Sequence, residues 1–351
     1  MSEQLSYEVP ATVSSAQFQA ARRGPLRAGD RVQITDPKGR LHTVVLVEGG
    51  MFQCSRGRLR HDDLIGLEEG TTVYSEDRPF HVVRPLLQDY VMSMPRGAAI
   101  IYPKDAATIV GVADIFPGAR VVEAGVGSGA LTLSLLSAVG DNGSLLSVER
   151  RADFADIAAG NVDLWFGGRH CAWQLEVGDF NEVVADLPDH SVDRVVLDML
   201  APWECLDQVQ RILIPGGVVV FYVATVTQLS RLREDLVAGG RFSEPKAQES
   251  MVRTWHLDGL AVRPDHRMVA HTGFLLSART VSPSSHPQSR RSRPAPAAAD
   301  QGGQWDDAQE WDSHEQLNPQ VSPKKVRRAR RQVATKVTTW LPSAGEGDFD
   351  E

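Results

Sequence analysis

The stretch EAGVGSG, residues 123–129, joins an apolar segment, ARVVEA at 119–124, to a helix-like segment, ALTLSLLSAV at 130–139. A strand followed by a glycine-rich turn and a helix is typical of nucleotide binding, because glycines allow a tight turn and the helix start offers unpaired N–H groups. The run GVGSGA also fits the dinucleotide pattern G-x-G-x-x-G/A. The glycines therefore predict a nucleotide-like ligand without selecting one.

Beyond this turn, apolar strands alternate with helix-length segments, which predicts an α/β, doubly wound and mostly parallel sheet covered on both faces. We expect HTGFLLSAR, residues 271–279, to be a closing edge strand, and a helix at 103–115 to cap the sheet near the ligand. The other predicted strands are SLLSVE (144–149), AWQLEV (172–177), RVVLDM (194–199) and GVVVFYVAT (217–225), and the other predicted helices cover about 151–165 and 228–240.

The chain outside this sheet divides by composition. Residues 25–85 alternate short strand-like segments with turn residues, which predicts a small all-β domain before the large domain at 86–280. We expect residues 1–24 to be a flexible N-terminus and residues 281–351, rich in Ser, Pro, Ala and Gln, to be a disordered tail. The basic stretch KKVRRARR at 324–331 is either a solvated part of this tail or an arm that tethers RNA.

The composition of the 351-residue chain is that of a globular protein, 42% hydrophobic and 23% charged. No apolar run reaches the roughly 18 residues of a membrane span and the N-terminus shows no export signal, so we expect a cytoplasmic protein without membrane contact. Three scattered cysteines argue against disulfides and a zinc site, and we expect no metal. The net charge of −8 repels nucleic acid, so an RNA partner requires a local basic patch.

Acidic residues follow successive predicted strands, whose carboxyl ends share one edge of a parallel sheet. Glu149, which follows Gly129 by twenty residues, suits the two ribose hydroxyls of an adenosine, and Asp179 suits the adenine amine. Asp198 follows the fourth strand. Because Glu123 attracts a cation and repels a pyrophosphate, the pattern favours S-adenosylmethionine over a dinucleotide. A nicotinamide-dependent oxidoreductase stays as an alternative that the glycines allow.

Four segments together resemble the bacterial and archaeal tRNA (adenine-58-N1)-methyltransferase family, most of all its actinobacterial members: MPRGAAIIYPKDAATIV, PGARVVEAGVGSGALTLSLL, LDMLAPWE and AHTGFLLSAR. The resemblance covers about residues 25–280 and implies a class I methyltransferase, Rossmann-like doubly wound sheet with a small N-terminal all-β domain. It further implies a homotetramer that methylates N1 of adenine 58 in the T-loop of tRNA with S-adenosylmethionine. A non-catalytic RNA-binding subunit of the same fold is the other alternative, although such subunits lose the glycine turn and the catalytic carboxylate.

The resemblance also implies roles for individual residues. Asp198 matches the family's catalytic carboxylate, while on the residues alone it also suits a cap of the following helix. Trp203 and Tyr222 suit core positions as well as a substrate pocket, and His271 suits a hydrogen-bonded strand histidine. The expected substrate-binding residues are Tyr102, Trp203, Tyr222 and His271. The expected cofactor-binding residues are Tyr102, Glu123, Ala124, Gly125, Val126, Gly127, Ser128, Gly129, Ala130, Glu149, Arg150, Asp179, Phe180 and Asp198.

A folded tRNA adds a demand on the enzyme, because the target base must be swung out at a cost of a few kcal/mol that contacts elsewhere offset. Basic side chains of the N-terminal region are candidates for such contacts, and the sequence leaves open whether they are instead solvated or bridge subunits. These side chains are Arg22, Arg23, Arg27, Arg56, Arg58 and Arg60.

Overall fold

The computed structural model describes residues 10–286 and 322–340, the last four by their backbone alone. The chain forms two compact units, each composed of separate chain segments. The first unit comprises Met1–Pro95, Gly160–Cys171 and Gln332–Glu351, and the second comprises Arg96–Ala159 and Ala172–Arg331.

The described residues form strands and helices in the following order. The strands are β1 (Thr12–Val13), β2 (Arg31–Thr35), β3 (Leu41–Val45), β4 (Met51–Cys54), β5 (Gly57–Arg60), β6 (Thr71–Ser75), β7 (Arg78–Val83), β8 (Arg120–Ala124), β9 (Ser144–Glu149), β10 (Arg169–His170), β11 (Trp173–Val177), β12 (Val192–Asp198), β13 (Leu213–Val223), β14 (Lys246–Gln248), β15 (Trp255–Asp258), β16 (Ala261–Pro264) and β17 (Phe274–Arg279). The helices are α1 (Ser15–Ala21), α2 (Leu87–Ser93), α3 (Pro103–Val112), α4 (Ala130–Val139), α5 (Ala152–Phe166), α6 (Phe180–Val183), α7 (Leu206–Ile212), α8 (Val226–Gly239) and α9 (Pro323–Trp340), with short 3₁₀ helices at His61–Asp63, Val184–Asp186 and Pro202–Cys205.

The first unit is built on an antiparallel sheet in the order β3–β2–β7–β6, accompanied by the hairpin β4–β5. In β7, buried Phe80 and Val82 alternate with exposed residues, as expected of a sheet with one face on a core. The parallel pair β1–β10 joins residues that are distant in sequence. The core side chains are Leu26, Val32, Ile34, Leu46, Phe52, Leu59, Leu64, Phe80 and Val82.

The N-terminal segment differs from the flexible one that the sequence predicts, because residues 10–24 include β1 and α1. Ser14 caps α1 by accepting a hydrogen bond from the Gln17 N–H at 3.1 Å, and the Gln17 side chain accepts one from the Ser14 N–H at 2.8 Å. Phe18 packs on Trp165 and Phe166 with ring centroids 5.5 and 4.9 Å apart. These partners are far away in sequence, so local composition does not reveal them. Residues 1–9 lie outside the described part.

The second unit contains a seven-stranded sheet in the order β11–β9–β8–β12–β13–β17–β14. The first five strands are parallel, and β17 and β14 are antiparallel to their neighbours. Val122 and Ala124 of β8 face a core that also holds Val209 of α7 and Leu232 of α8. Glu123 points to the opposite face, where Thr132 of α4 donates to it. Helices therefore cover both faces, and the predicted α/β, doubly wound sheet is confirmed.

The predicted edge strand is wrong in one respect. Strand β17 lies between β13 and β14, so the edge is formed by Lys246–Gln248. These three residues are all exposed and offer no apolar pattern from which a strand could be predicted.

The expected disordered tail is also wrong for residues 323–340, which form α9. Its apolar residues Val326, Ala329 and Val333 are spaced by three and four and are buried, as in an amphipathic helix. Residues 287–321 and 341–351 of the predicted tail lie outside the described part. Across the described residues, no helix combines the length and apolar character that a bilayer crossing requires.

Candidate active site

The glycine turn lies at the carboxyl ends of the parallel strands and is held from both sides. Gly125 has a φ of +85°, and a Cβ there would lie 1.7 Å from the backbone oxygen of Asp198, so the turn passes too close to β12 for any other residue. On the other side, the Gly127 N–H donates to the Glu149 carboxylate of β9 at 2.9 Å. The turn and two acidic residues are therefore fixed relative to one another.

Glu149 organises the turn as well as ending β9. Its two carboxylate oxygens accept hydrogen bonds from the backbone N–H groups of Gly127 and Arg151, at 2.9 and 3.0 Å. The residue is 7% exposed. A carboxylate oxygen has two lone pairs, so each oxygen keeps the capacity to accept a further hydrogen bond from a ligand hydroxyl.

Glu123 is almost completely buried beneath the turn. Its Oε2 accepts hydrogen bonds from the hydroxyls of Thr132 and Ser147, both at 2.8 Å, and Ser147 in turn accepts one from the Trp173 indole at 3.0 Å. Oε1 has no hydrogen-bond partner among the described residues. Burial raises the pKa of Glu123 to about 7, against the lowering effect of the two hydroxyls, and the charge of Glu149 adds to the rise.

Asp198 ends β12 beside this turn. Within the described residues, no group donates a hydrogen bond to its side chain, and the following 3₁₀ helix, Pro202–Cys205, begins at Ala201 without a side-chain cap. The alternative in which Asp198 caps that helix is therefore wrong. Burial raises the pKa of Asp198 to about 7, and the charges of Glu123 and Glu149 contribute to the rise. Asp198 is thus a carboxyl group at the carboxyl end of a central strand, and no described residue donates a hydrogen bond to its side chain.

Asp179 and Arg150 are more engaged than the sequence predicts. Asp179 caps α6 by accepting a hydrogen bond from the Asn181 N–H at 2.9 Å, and its other oxygen accepts one from the Arg150 guanidinium. The hydrogen bond from Arg150 holds the pKa of Asp179 below its usual range. Both side chains lie at the carboxyl end of the sheet. The Asp179 carboxylate already has two hydrogen-bond partners, so an adenine amine that donated to it, as predicted, would be a third.

Tyr222 of the predicted site lies beside Asp198, and Tyr102 lies near Tyr222. Tyr222 pairs with Asp198 across β12 and β13 and is 9% exposed. Burial raises the pKa of Tyr222, and the nearby charges of Asp105 and Asp198 and the hydroxyl of Tyr102 raise it further. A Cβ at Gly273 would lie 2.3 Å from the Tyr222 ring, which explains the glycine in the HTGF segment.

Lys104 and Asp105 form a buried ion pair whose role the sequence does not reveal. The Lys104 ammonium donates to Asp105 at 2.7 Å, to the Ser250 carbonyl at 2.8 Å and to the Thr272 hydroxyl at 2.6 Å. The hydroxyls of Ser250 and Thr272 both donate to the Asp105 carboxylate. The network ties the start of α3, directly after Tyr102, to the segments on either side of the β15–β16 hairpin. The YPKD and HTGF segments contain three of its members, but their contact is visible only in the fold.

Trp203 and His271 are both engaged with neighbouring side chains of the protein. Trp203 is half-buried against the core, and the Arg231 guanidinium lies 4.2 Å from its ring centroid. His271 is exposed, its Nδ1 lies 2.9 Å from the Glu249 carboxylate, and its ring packs on Phe274. The structure therefore favours the core interpretation for Trp203 and the hydrogen-bonded interpretation for His271.

The other predicted cofactor-binding residues lie in or next to the turn, except Phe180, which begins α6. Ser128 is 1% exposed and its hydroxyl accepts a hydrogen bond from the Gly97 N–H at 3.2 Å. Gly129, in a left-handed conformation, is the cap of α4. The buried members of this set are Ala124, Val126, Ser128, Gly129, Ala130 and Phe180.

Several of the N-terminal arginines are engaged within the first unit. Arg22 donates to the Pro85 carbonyl at 2.7 Å and stacks on Trp165, and Arg56 lies 3.8 Å from Asp36. Arg60 lies 3.5 Å from Asp63. The group that could hold a metal ion among the described residues is Asp36, His42 and Cys54, and the guanidinium of Arg56 beside Asp36 opposes a cation there.

The parallel sheet, the glycine turn and the acidic residues at the strand ends together define a methyltransferase of the class I fold. The chain belongs to the family described as tRNA methyltransferase complex GCD14 subunit, whose model matches residues 80–259, and residues 24–73 match the TrmI-like N-terminal family.

Similar proteins agree with this membership. The chain is 34% identical over 262 residues to the tRNA (adenine(58)-N(1))-methyltransferase TrmI of Thermus thermophilus, covering 73% of this chain and 96% of that protein. Crystal structures of tRNA (m1A58) methyltransferase TrmI from Aquifex aeolicus and of a SAM-dependent O-methyltransferase from Thermotoga maritima match with TM-scores of 0.66 and 0.68. Their identities are 26% and 27%, and the matches cover 74% and 76% of this chain and 100% and 98% of those chains.

The raised pKa of Glu123 predicts a pH dependence of stability. The folded state holds a proton on Glu123 up to about pH 7, whereas a carboxyl of ordinary pKa, 4.5, loses it earlier. The free energy of unfolding therefore decreases as pH rises between these values. Glu123→Gln removes this titration, so its melting temperature should fall less between pH 5 and 7.5 than that of the wild type, while the exposed Glu182→Gln should follow the wild type. Parallel curves for all three proteins would show that Glu123 ionises normally.

The buried ion pair predicts a non-additive effect of mutation. Lys104→Met leaves the Asp105 carboxylate, 1% exposed, without its counter-charge and should reduce the free energy of unfolding by about 3–5 kcal/mol. The double variant Lys104→Met with Asp105→Leu removes both charges and should be more stable than Lys104→Met alone. Denaturant unfolding of the wild type, both single variants and the double variant measures the coupling; strictly additive losses would contradict a direct pair.

Proposed function

We propose that this chain methylates N1 of adenine 58 in the T-loop of tRNA, giving 1-methyladenosine, with S-adenosylmethionine as the methyl donor. The observation that carries the proposal is the Asp198 carboxyl group, which ends a central strand beside the glycine turn and has a pKa raised by burial and by two neighbouring carboxylates. Family membership supplies the substrate, because its relatives are named for this reaction.

The charge of the cleft supports S-adenosylmethionine over a dinucleotide. Burial is the main cause that raises the pKa values of Glu123 and Asp198, and the neighbouring carboxylates raise them further, so their surroundings favour a bound cation and disfavour a pyrophosphate. When bound, S-adenosylmethionine supplies a methyl group on a positively charged sulfonium. Glu149 and the glycine turn would hold its ribose side, and the residues that follow β11, Asp179 and Phe180, would lie at its adenine side.

Asp198 has a defined task in this reaction. N1 of adenine carries its own lone pair, so no general base is required to expose it, and the reaction depends on positioning. As N1 gains a methyl group the ring becomes cationic, and a carboxylate that accepts a hydrogen bond from the exocyclic amine stabilises the ring more as the charge develops. Asp198 accepts no other hydrogen bond in the described structure, so its oxygens are available for that amine.

Tyr222 and Tyr102 are placed to contact the same adenine as Asp198. Tyr222 lies beside Asp198 on the neighbouring strand, and its raised pKa keeps its hydroxyl neutral and able to donate. Tyr102 directly precedes α3, where the Lys104 network holds the backbone. Aromatic rings commonly stack on a base that has been swung out of its helix. Trp203, beside the Arg231 guanidinium, and His271, beside the Glu249 carboxylate, complete the proposed substrate-binding set.

The two alternatives are less well supported. A non-catalytic subunit of this fold is disfavoured because the glycine turn is intact and the carboxylate ends β12. A nicotinamide-dependent oxidoreductase is disfavoured because the glycine turn lies against Glu149 and Asp198, whose negative charges would repel a pyrophosphate.

We also propose that the active enzyme is a homotetramer, which the apolar β15–β16 hairpin supports. Trp255, Leu257 and Val262 are 57%, 73% and 57% exposed, and Leu260 at its tip is fully exposed. An apolar patch of this kind on a monomer is typical of a protein interface. A tRNA substrate also implies a cytoplasmic location.

The mechanism predicts that Asp198→Asn reduces turnover more than binding. The variant keeps the size of the side chain and loses its charge, so kcat for methyl transfer to an unmodified tRNA transcript should fall about 100- to 1000-fold. The dissociation constants for S-adenosylhomocysteine, which lacks the sulfonium charge, and for tRNA should stay within a few-fold of wild type. Transfer of a labelled methyl group, with nucleoside mass spectrometry of the product, measures the effect.

Glu149→Ala serves as the contrasting variant, because it alters a residue assigned to the cofactor. Its cofactor dissociation constant should rise with a smaller effect on kcat at saturating cofactor. Turnover of Asp198→Asn within a few-fold of wild type would refute the role of Asp198. Absence of 1-methyladenosine from the wild-type reaction would refute the proposed function itself.

A further inference from the structure

Helix α9 lies beyond both parts of the chain that the family models match, which end at residues 73 and 259. The sequence leaves open whether its basic residues are simply solvated or bind RNA. The structure adds three observations: the helix is docked, its cations are oriented, and those cations are not neutralised by the described protein residues.

The docked side of α9 is specific. Val326, Ala329 and Val333 are 4%, 3% and 2% exposed and form one stripe along the helix. In the first unit, Val333 packs so closely on Gly160 that a Cβ at Gly160 would lie 1.5 Å from the Val333 Cγ1 atom. In the second unit, Arg330 donates to the Asp156 carboxylate. A merely solvated tail requires none of these interactions.

The remaining faces of the N-terminal half of α9 are strongly basic. The segment PKKVRRARRQVATKVTTW contains no acidic residue, and within the described structure five of its cations are exposed and pair with no carboxylate. At about 1.5 Å of rise per residue, they span roughly 10 Å of helix. They are Lys324, Lys325, Arg327, Arg328 and Arg331.

This surface contrasts with the chain as a whole, whose net charge is −8. A negatively charged protein repels RNA over most of its surface, so productive binding needs a local region of opposite sign. Because docking has already ordered the helix, its cations meet phosphates without the entropy loss of ordering a flexible arm. Charge complementarity and pre-orientation both favour a polyanion with closely spaced phosphates.

We propose that the exposed basic face of α9 binds the phosphate backbone of the tRNA substrate. The inference rests on the proposed function for the identity of the RNA. The interaction involves phosphates and no base edges, so α9 strengthens binding of tRNAs in general and does not select the methylated adenine.

The test neutralises the five exposed cations in the full-length protein, as Lys324→Gln, Lys325→Gln, Arg327→Gln, Arg328→Gln and Arg331→Gln together. Glutamine keeps helix propensity and leaves the buried stripe unchanged. At low salt, the dissociation constant for an unmodified tRNA transcript should rise at least tenfold. The slope of log K against log salt should become shallower by about 0.7–0.9 for each phosphate that the variant no longer neutralises. The Michaelis constant for tRNA should rise in parallel, with a much smaller change in turnover at saturating tRNA.

A second variant, Gly160→Leu, tests whether α9 must be docked in order to bind tRNA or could act as a flexible tether. It retains every cation but removes the space that Val333 fills, so α9 should undock and tRNA affinity should decrease, while the affinity of the five-glutamine variant should decrease further. Wild-type affinity in Gly160→Leu would contradict docking as the basis of binding. A melting temperature reports whether each variant is folded.

The outcomes distinguish this inference from the proposed function. If the wild type methylates tRNA and the five-glutamine variant keeps both its tRNA affinity and its salt dependence, the inference is wrong and the proposed function stands. If the five substitutions weaken binding of poly-glutamate but not of tRNA, the partner is an acidic protein and the inference is again wrong. If the wild type produces no 1-methyladenosine, the proposed function fails, whatever the binding data show.

Discussion

The burial of carboxyl groups close to one another is the constraint on which the site depends. Glu123, Glu149 and Asp198 lie at the carboxyl ends of neighbouring parallel strands, and the sheet register brings them to one edge. Burial and the neighbouring negative charges raise the pKa values of Glu123 and Asp198 to about 7. Carboxylates that are costly to ionise in this position are stabilised by a positively charged ligand. The glycine turn is compatible with dinucleotides, and these carboxylates make it suit a sulfonium instead.

The backbone of the glycine turn holds these carboxyl groups in place. Gly125 allows the turn to approach β12 directly, and Gly127 donates to Glu149, so the acids are held by the same residues that would approach a ligand. This arrangement is largely predictable from sequence, because the turn and the strand-end acids lie in continuous, short patterns. The partners of Glu123 are not predictable, since Ser147 reaches it only through the pairing of β8 with β9.

The parts that sequence could not predict depend on interactions between distant segments. Lys104 and Asp105 meet Ser250 and Thr272 across more than 140 residues. Strand β14 has no apolar pattern, so the sequence predicts β17 as the edge. Helix α9 escapes prediction because its three buried residues are few among many cations and follow a long Ser- and Pro-rich segment. In each case the decisive partner lies elsewhere in the fold.

The most direct measurement of the central claim compares S-adenosylmethionine with S-adenosylhomocysteine by calorimetry at pH 5.5 and pH 7. The two ligands differ by the methyl group and the positive charge on sulfur. If carboxyl groups with pKa values of about 7 recognise that charge, the affinity for S-adenosylmethionine relative to S-adenosylhomocysteine should increase severalfold as the pH rises and the groups ionise. An affinity ratio that does not change with pH would contradict the electrostatic basis of the site.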